Sequence, residues 1–194
     1  MISSSKDFLR LVFFLILFVS FQSVASDLSY SYIEAAYIES DIDVDGIDVD
    51  GDGYIFAASA DFADNIAAFI SYEDQEFDFD FDGEALSIGI DFHTPISHSA
   101  DLVVSFAYVD VEISQPSLGK EDDTGNVIQI GFRNRISQTT EFGAFVSRTD
   151  VFDDTETSYG FNLLLGRADG VQLDLGLGKG DDTDTILVGV RANY

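Results

Sequence analysis

The residues best placed to do chemistry lie in the run DIDVDGIDVDGDG, positions 41–53. Read from Asp48, carboxylates at Asp48, Asp50 and Asp52 alternate and a glycine follows at Gly53. This is how the first half of a calcium loop wraps a hard cation. The acid that should close such a shell is missing, because the twelfth position is Ser59. Read from Asp41, the frame has Asp43, Asp45 and Gly46 in place and ends on Asp52, but sets Asp48 where an apolar residue belongs. Two readings stay open, a loose calcium site on a surface loop or a solvated acidic loop that needs no cofactor.

Little else suggests catalysis. His93 and His98 flank a predicted turn, and His98 sits between Ser97 and Ser99 as turn composition would place it. There is no glycine-rich phosphate loop, no metal-ligand histidine spacing and no nucleophile motif. The absence of Cys excludes disulfides and thiolate metal sites. The chain reads as non-enzymatic.

A second group of charges is dispersed: Glu34, Asp61, Glu73, Asp91, Arg133, Arg135, Asp174 and Arg191. They share the polar parity of successive alternating segments. Charges gathered on an enclosed face need partners, so these eight are expected to form an ion-pair network filling an interior.

The elements that would carry them are ten alternating segments, about 28–39, 53–62, 66–75, 84–93, 101–112, 126–136, 141–151, 157–168, 171–179 and 183–194. Their length, roughly ten residues, suits tilted strands crossing a bilayer. One parity is apolar, as in Tyr54, Phe56, Ala58 and Phe62, or Leu86, Ile88, Ile90 and Phe92. The other is Gly, Ser and scattered charge, the lining of a packed polar lumen rather than a soluble exterior. In the first segment the parities compete, and Glu34 is turned inward because a carboxylate facing lipid would cost a few kcal/mol. The fold expected is all-β: a closed antiparallel transmembrane β-barrel of about ten strands, with eight as the alternative. Connections alternate between tight turns (63–65, 94–100, 137–140, 169–170) and acidic loops (40–52, 76–83, 113–125, 152–156, 180–182). Tyr37, Tyr54, Tyr72 and Tyr108 lie towards the acidic loops, and Phe62, Phe92, Phe142 and Tyr194 towards the turns, as two membrane girdles would.

The 194 residues suit one domain, and the formal net charge of −27 argues against nucleic acid as a partner. Eighteen Phe and eight Tyr argue against disorder. Lys6 and Arg10, an apolar run over 11–21, and small residues at Ser23 and Ala25 read as a signal peptide, 1–25, leaving a barrel domain of 26–194. The last segment carries apolar Val190 and Ala192 and stops on Tyr194, an aromatic at the membrane boundary.

The opening Tyr30-Ser31-Tyr32-Ile33-Glu34, the Gly53-Tyr54 after an acidic stretch and the terminal Val190-Arg191-Ala192-Asn193-Tyr194 resemble the small bacterial outer-membrane β-barrels related to the OmpA transmembrane domain. Within that group the chain is similar to a xanthomonad-type surface-protein subset. The resemblance implies an outer-membrane location with extracellular loops, and lipid and lipopolysaccharide as surroundings. It also implies a monomer delivered by periplasmic chaperones to the barrel assembly machinery, with Val190, Ala192 and Tyr194 as the assembly signal. The departures are the lack of Trp in the girdles and of a peptidoglycan-binding domain. The role implied is a surface-structural or interaction protein with acidic external loops. The alternatives are a narrow cation-preferring pore or a calcium-dependent surface binder.

Overall fold

A computed structural model describes residues 28–44, 47–116, 119–152 and 154–194; the expected signal peptide and Asp45 lie outside them. The ten strands are β1 (Tyr32–Val44), β2 (Ile47–Ala63), β3 (Ile66–Phe77), β4 (Phe81–Pro95), β5 (Ala100–Gln115), β6 (Gly119–Ser137), β7 (Thr140–Val151), β8 (Asp154–Gly166), β9 (Val171–Lys179) and β10 (Thr183–Asn193). Each pairs antiparallel with its neighbour in sequence, and β10 pairs with β1 to close the barrel. Closure satisfies the backbone of every strand on both sides, which a sheet in hydrocarbon requires. At the seam Tyr194 donates its backbone N–H to the Ser31 carbonyl (3.1 Å) and its hydroxyl to the Ser59 carbonyl (3.0 Å). The last residue thereby clasps the first two strands.

The apolar parity faces outward. Phe56, Ile88, Ile130, Phe161, Leu177 and Val190 are all exposed on the cylinder, with Leu177 at 60%. So continuous an exposed apolar belt is a surface for lipid. The inward parity is small or polar, and its glycines make room for aromatic filling: the Phe69 ring lies where a side chain on Gly89 would project, and the Phe145 ring does the same over Gly160. On β1 the outward residues are Ile33, Ala35 and Tyr37, and Glu34 turns in.

The acidic connections differ from the expectation. The segments read as loops are mostly strand: Asp41 and Asp43 belong to β1, and Asp48, Asp50 and Asp52 to β2. In the next hairpin only a single helical turn at Asp78–Asp80 interrupts the ladder. Asp and Gly are poor strand formers, which suggested loops. The two-residue alternation nevertheless continues through Asp41-Ile42-Asp43-Val44, and a paired neighbour on each side supplies the hydrogen bonds that outweigh propensity. The barrel is therefore longer on the side away from the chain termini than a bilayer needs.

Candidate functional site

Two features stand out, a charged floor inside the barrel near the chain termini and an acidic collar outside it at the other end. The floor is built on inward side chains of β1, β6, β7, β9 and β10. Arg191 on β10 reaches Glu34 on β1 through Nε (2.5 Å) and Asp174 on β9 through Nη2 (3.4 Å), all three side chains being at most 10% exposed. Antiparallel register puts Glu34 directly beside Arg191, and Asp174 is the next inward residue after Gln172, which faces Arg191 on β9. The Arg191 guanidinium lies 4.0 Å from the Tyr32 ring centroid, a cation–π contact strengthened by desolvation. Across the lumen, Arg133 on β6 pairs with Glu141 on β7 (2.6 Å).

Of the expected interior charges, the structure thus brings Glu34, Asp174 and Arg191 together and gives Arg133 a partner outside that set. Asp91 lines the lumen above the floor. Arg135 faces Glu141 in the β6–β7 register. Asp61 sits at the rim, 41% exposed, 3.3 Å from His93. Glu73 lies higher, hydrogen-bonded to Gln75. Sequence reading missed Glu141, Asp101, His93 and Tyr30. Tyr30 donates to Asp101 Oδ2 (3.0 Å), and its ring stacks on His93 at 3.7 Å between centroids. Parity was the signal for two of them, since His93 continues the inward face from Asp91 and Asp101 leads it into Ser105.

Above the floor lies a cavity of about 430 Å³, lined by Ser71, Ser87, Ser105, Gln129, Asn162 and Asp91 and closed below by Tyr30, Tyr32, Arg133 and Arg191. Apolar walls from Phe69, Val127, Phe145 and Leu187 alternate with these polar groups, and the space is wide enough for water.

The collar stands just beyond the tyrosine girdle on the outward face. One row runs Tyr37, Tyr54, Asp74, Glu84, Glu112, Asp122 across β1 to β6, each residue opposite the next. The row above it starts Glu39, Asp52, Glu76, Asp82. Above that, Asp184, Asp41 and Asp50 are aligned. Few cations interrupt the rows: Lys120 pairs with Glu112, and Lys179 with Asp184 (2.6 Å). Partial withdrawal from water, and then the carboxylates of Asp48, Asp50, Asp184 and Asp43, push the Asp41 carboxyl above its ordinary range. Among the described residues no group of three or more His, Asp or Glu that could hold a metal ion forms. The residues of the two calcium-loop frames stand on extended strands, Asp41 and Asp43 on β1 and Asp48, Asp50 and Asp52 on β2, with Asp45 outside the described residues.

Outward on β10, Val190 is exposed at 52% and Tyr194 at 73%, with Ala192 between them.

No family model matches the sequence, and no curated protein does. Solved structures do. The β domain of the Bordetella autotransporter BrkA superposes with a TM-score of 0.55 at 11% identity, covering 84% of this chain and 99% of that one. The translocator domain of the autotransporter NalP from Neisseria meningitidis gives 0.50 at 9% identity, covering 100% and 99%. The outer membrane protein OprG from Pseudomonas aeruginosa gives 0.48 at 10%, covering 89% and 99%. Identities this low speak to the fold alone. The fold is that of the bacterial outer-membrane β-barrels. A closed cylinder with this apolar exterior belongs in the bacterial outer membrane.

Proposed function

We propose that this protein is a non-enzymatic surface barrel whose anionic collar, on the extracellular side, gathers divalent cations and through them engages the phosphate-bearing head groups of lipopolysaccharide. The observation that carries the reading is the row of four carboxylates, Asp74, Glu84, Glu112 and Asp122, on four neighbouring strands just beyond the girdle. Directly opposed residues in an antiparallel sheet stand about 5 Å apart, and like charges so placed are destabilising. A rigid sheet cannot spread them, so counter-cations must. The collar acts as a diffuse ion layer and needs no chelating pocket. A monomer with residues 1–25 removed, delivered by periplasmic chaperones to the assembly machinery through Val190, Ala192 and Tyr194, belongs to the same proposal.

In metal-free buffer, millimolar magnesium or calcium is expected to raise the Tm of the folded barrel by several degrees, and by more than sodium chloride of equal ionic strength. The triple variant Glu84→Gln, Glu112→Gln, Asp74→Asn should lose most of that increment and bind lipopolysaccharide vesicles more weakly when magnesium is present. A Tm indifferent to both divalent cations and chelator removes the proposal.

The same crowding fixes a pH dependence. Asp41 titrates higher folded than unfolded, so the folded state takes up its proton first as acid is added. Stability is therefore gained as pH falls from neutral through the folded pKa, and the gain is complete below the unfolded value. Glu156 is raised as well, by burial and then by Asp181, Asp182 and Asp154, with a Thr183 hydrogen bond opposing. Asp169, held low by Arg167, loses its contribution only at lower pH still. Mild acidification without metal should raise Tm, and Asp41→Asn should flatten part of the rise. A Tm that falls monotonically from pH 7 would contradict this.

A further inference from the structure

Residues 28–31 precede β1 and belong to no strand, yet Leu28 and Tyr30 are among the most buried residues of the chain, at 8% and 2% exposure. The segment leaves the foot of β1, but Tyr30 makes its contacts on β4, β5 and β6. Its ring stacks on His93 (3.7 Å between centroids, 13° between planes), its hydroxyl donates to Asp101, and the Arg133 guanidinium lies 4.3 Å from its centroid. In a closed ring of ten, β6 is diametrically opposite β1. Tyr30 therefore reaches across the bore. Leu28 completes the crossing in an apolar cluster with Ala67 of β3 and Val103 of β5.

We propose that residues 28–30 are a displaceable plug closing the terminus-side mouth of the barrel, and that moving it opens a passage for small inorganic cations. Beyond the plug the lumen already contains a cavity of about 430 Å³ with Tyr30 in its lining and Asp91, Gln129 and Asn162 among its polar groups. Ser31 is anchored, its carbonyl accepting from the Tyr194 N–H and its hydroxyl bonded to Asp61. What ties Tyr30 to the far wall is side-chain contact, so residues 28–30 can swing about Ser31 without breaking the strand ladder. Once Tyr30 leaves, Arg133 keeps Glu141 as its partner, and the wall of the passage carries Asp91, Asp101 and Asp174, with Asp174 shared with Arg191. Fixed negative charge in a narrow, low-dielectric bore selects cations.

The test is single-channel recording of the full chain in planar bilayers under a potassium chloride gradient. The wild type should be closed for most of the record. Tyr30→Ala removes stack, hydrogen bond and cation contact together and should raise the open fraction at least tenfold, with a reversal potential displaced towards that of potassium. Because the chain has no Cys, the pair Leu28→Cys and Val103→Cys can cross-link the plug to β5. This variant should be silent when oxidised and recover openings on reduction, which keeps the test decisive if Tyr30→Ala does not fold. Three outcomes overturn the proposal: a folded Tyr30→Ala barrel as silent as wild type, openings that ignore the cross-link, or a reversal potential displaced towards that of chloride. None of them bears on the collar, whose readout is divalent-dependent stability.

Discussion

Replacing Arg191 with Ala should cost about 3–5 kcal/mol of stability, the range for stripping the partner from a buried charge. Among the described residues Arg191 is the one cation in direct contact with both Glu34 and Asp174, whose side chains are 9% and 5% exposed. Without it two carboxylates on β1 and β9, either side of β10, lose the guanidinium between them, and Tyr32 loses the guanidinium beside its ring. Arg191→Lys should recover little, because a single ammonium cannot fork to two acids as a planar guanidinium does. The triple change Arg191→Met, Glu34→Gln, Asp174→Asn should recover most of the loss, since removing all the charges removes the desolvation penalty as well. Urea titration of the barrel in lipid vesicles measures each step. Equal losses for the single and triple variants would show that the triad acts through packing, not charge.

Ile130→Arg should be nearly as severe, costing about 2–4 kcal/mol in a bilayer, as arginine does at the midplane of outer-membrane barrels. Ile130 is 48% exposed on β6, with Val104 and Val146 opposite it on the two neighbouring strands. Were that surface bathed in water, an arginine there would change stability by no more than about 0.5 kcal/mol. A neighbouring substitution at Gln129, which faces the lumen cavity, serves as the control: Gln129→Leu should be tolerated. Refolding yield into vesicles, followed by the shift in gel mobility on boiling, reads both. A well-folded Ile130→Arg barrel would remove hydrocarbon from the outside of this protein.

The difference between these two neighbouring positions is also what made the barrel legible. Ten strands and their in/out assignment follow from a period of two in which the lumen-facing set is small and the lipid-facing set large, so one slip of register would expose Gly and Ser to lipid. Strand ends were harder to read because composition and period disagree there. Asp-rich chain looks like loop, and only the persistence of Ile42, Val44 and Val49 between acids betrays a ladder. Among interior charges, Glu34, Asp174 and Arg191 could be placed on one face but not at one height, since height depends on strand stagger that no single segment encodes. Tyr30 was least visible. Its contacts on His93, Asp101 and Arg133 are with residues more than sixty positions away, and the alternation read over 28–39 counted it as strand, whereas β1 starts at Tyr32.

The length of β6, 19 residues, has one more consequence. At about 3.3 Å per residue such a strand is much longer than a tilted strand needs to cross the bilayer. The described residues beyond the bilayer accordingly form a stiff stockade. Proteases need several residues of slack chain to thread into their clefts, and antibodies raised against short peptides need the same freedom. Both should find little to grip on these strands, while a ligand shaped to a folded rim would find it already in place.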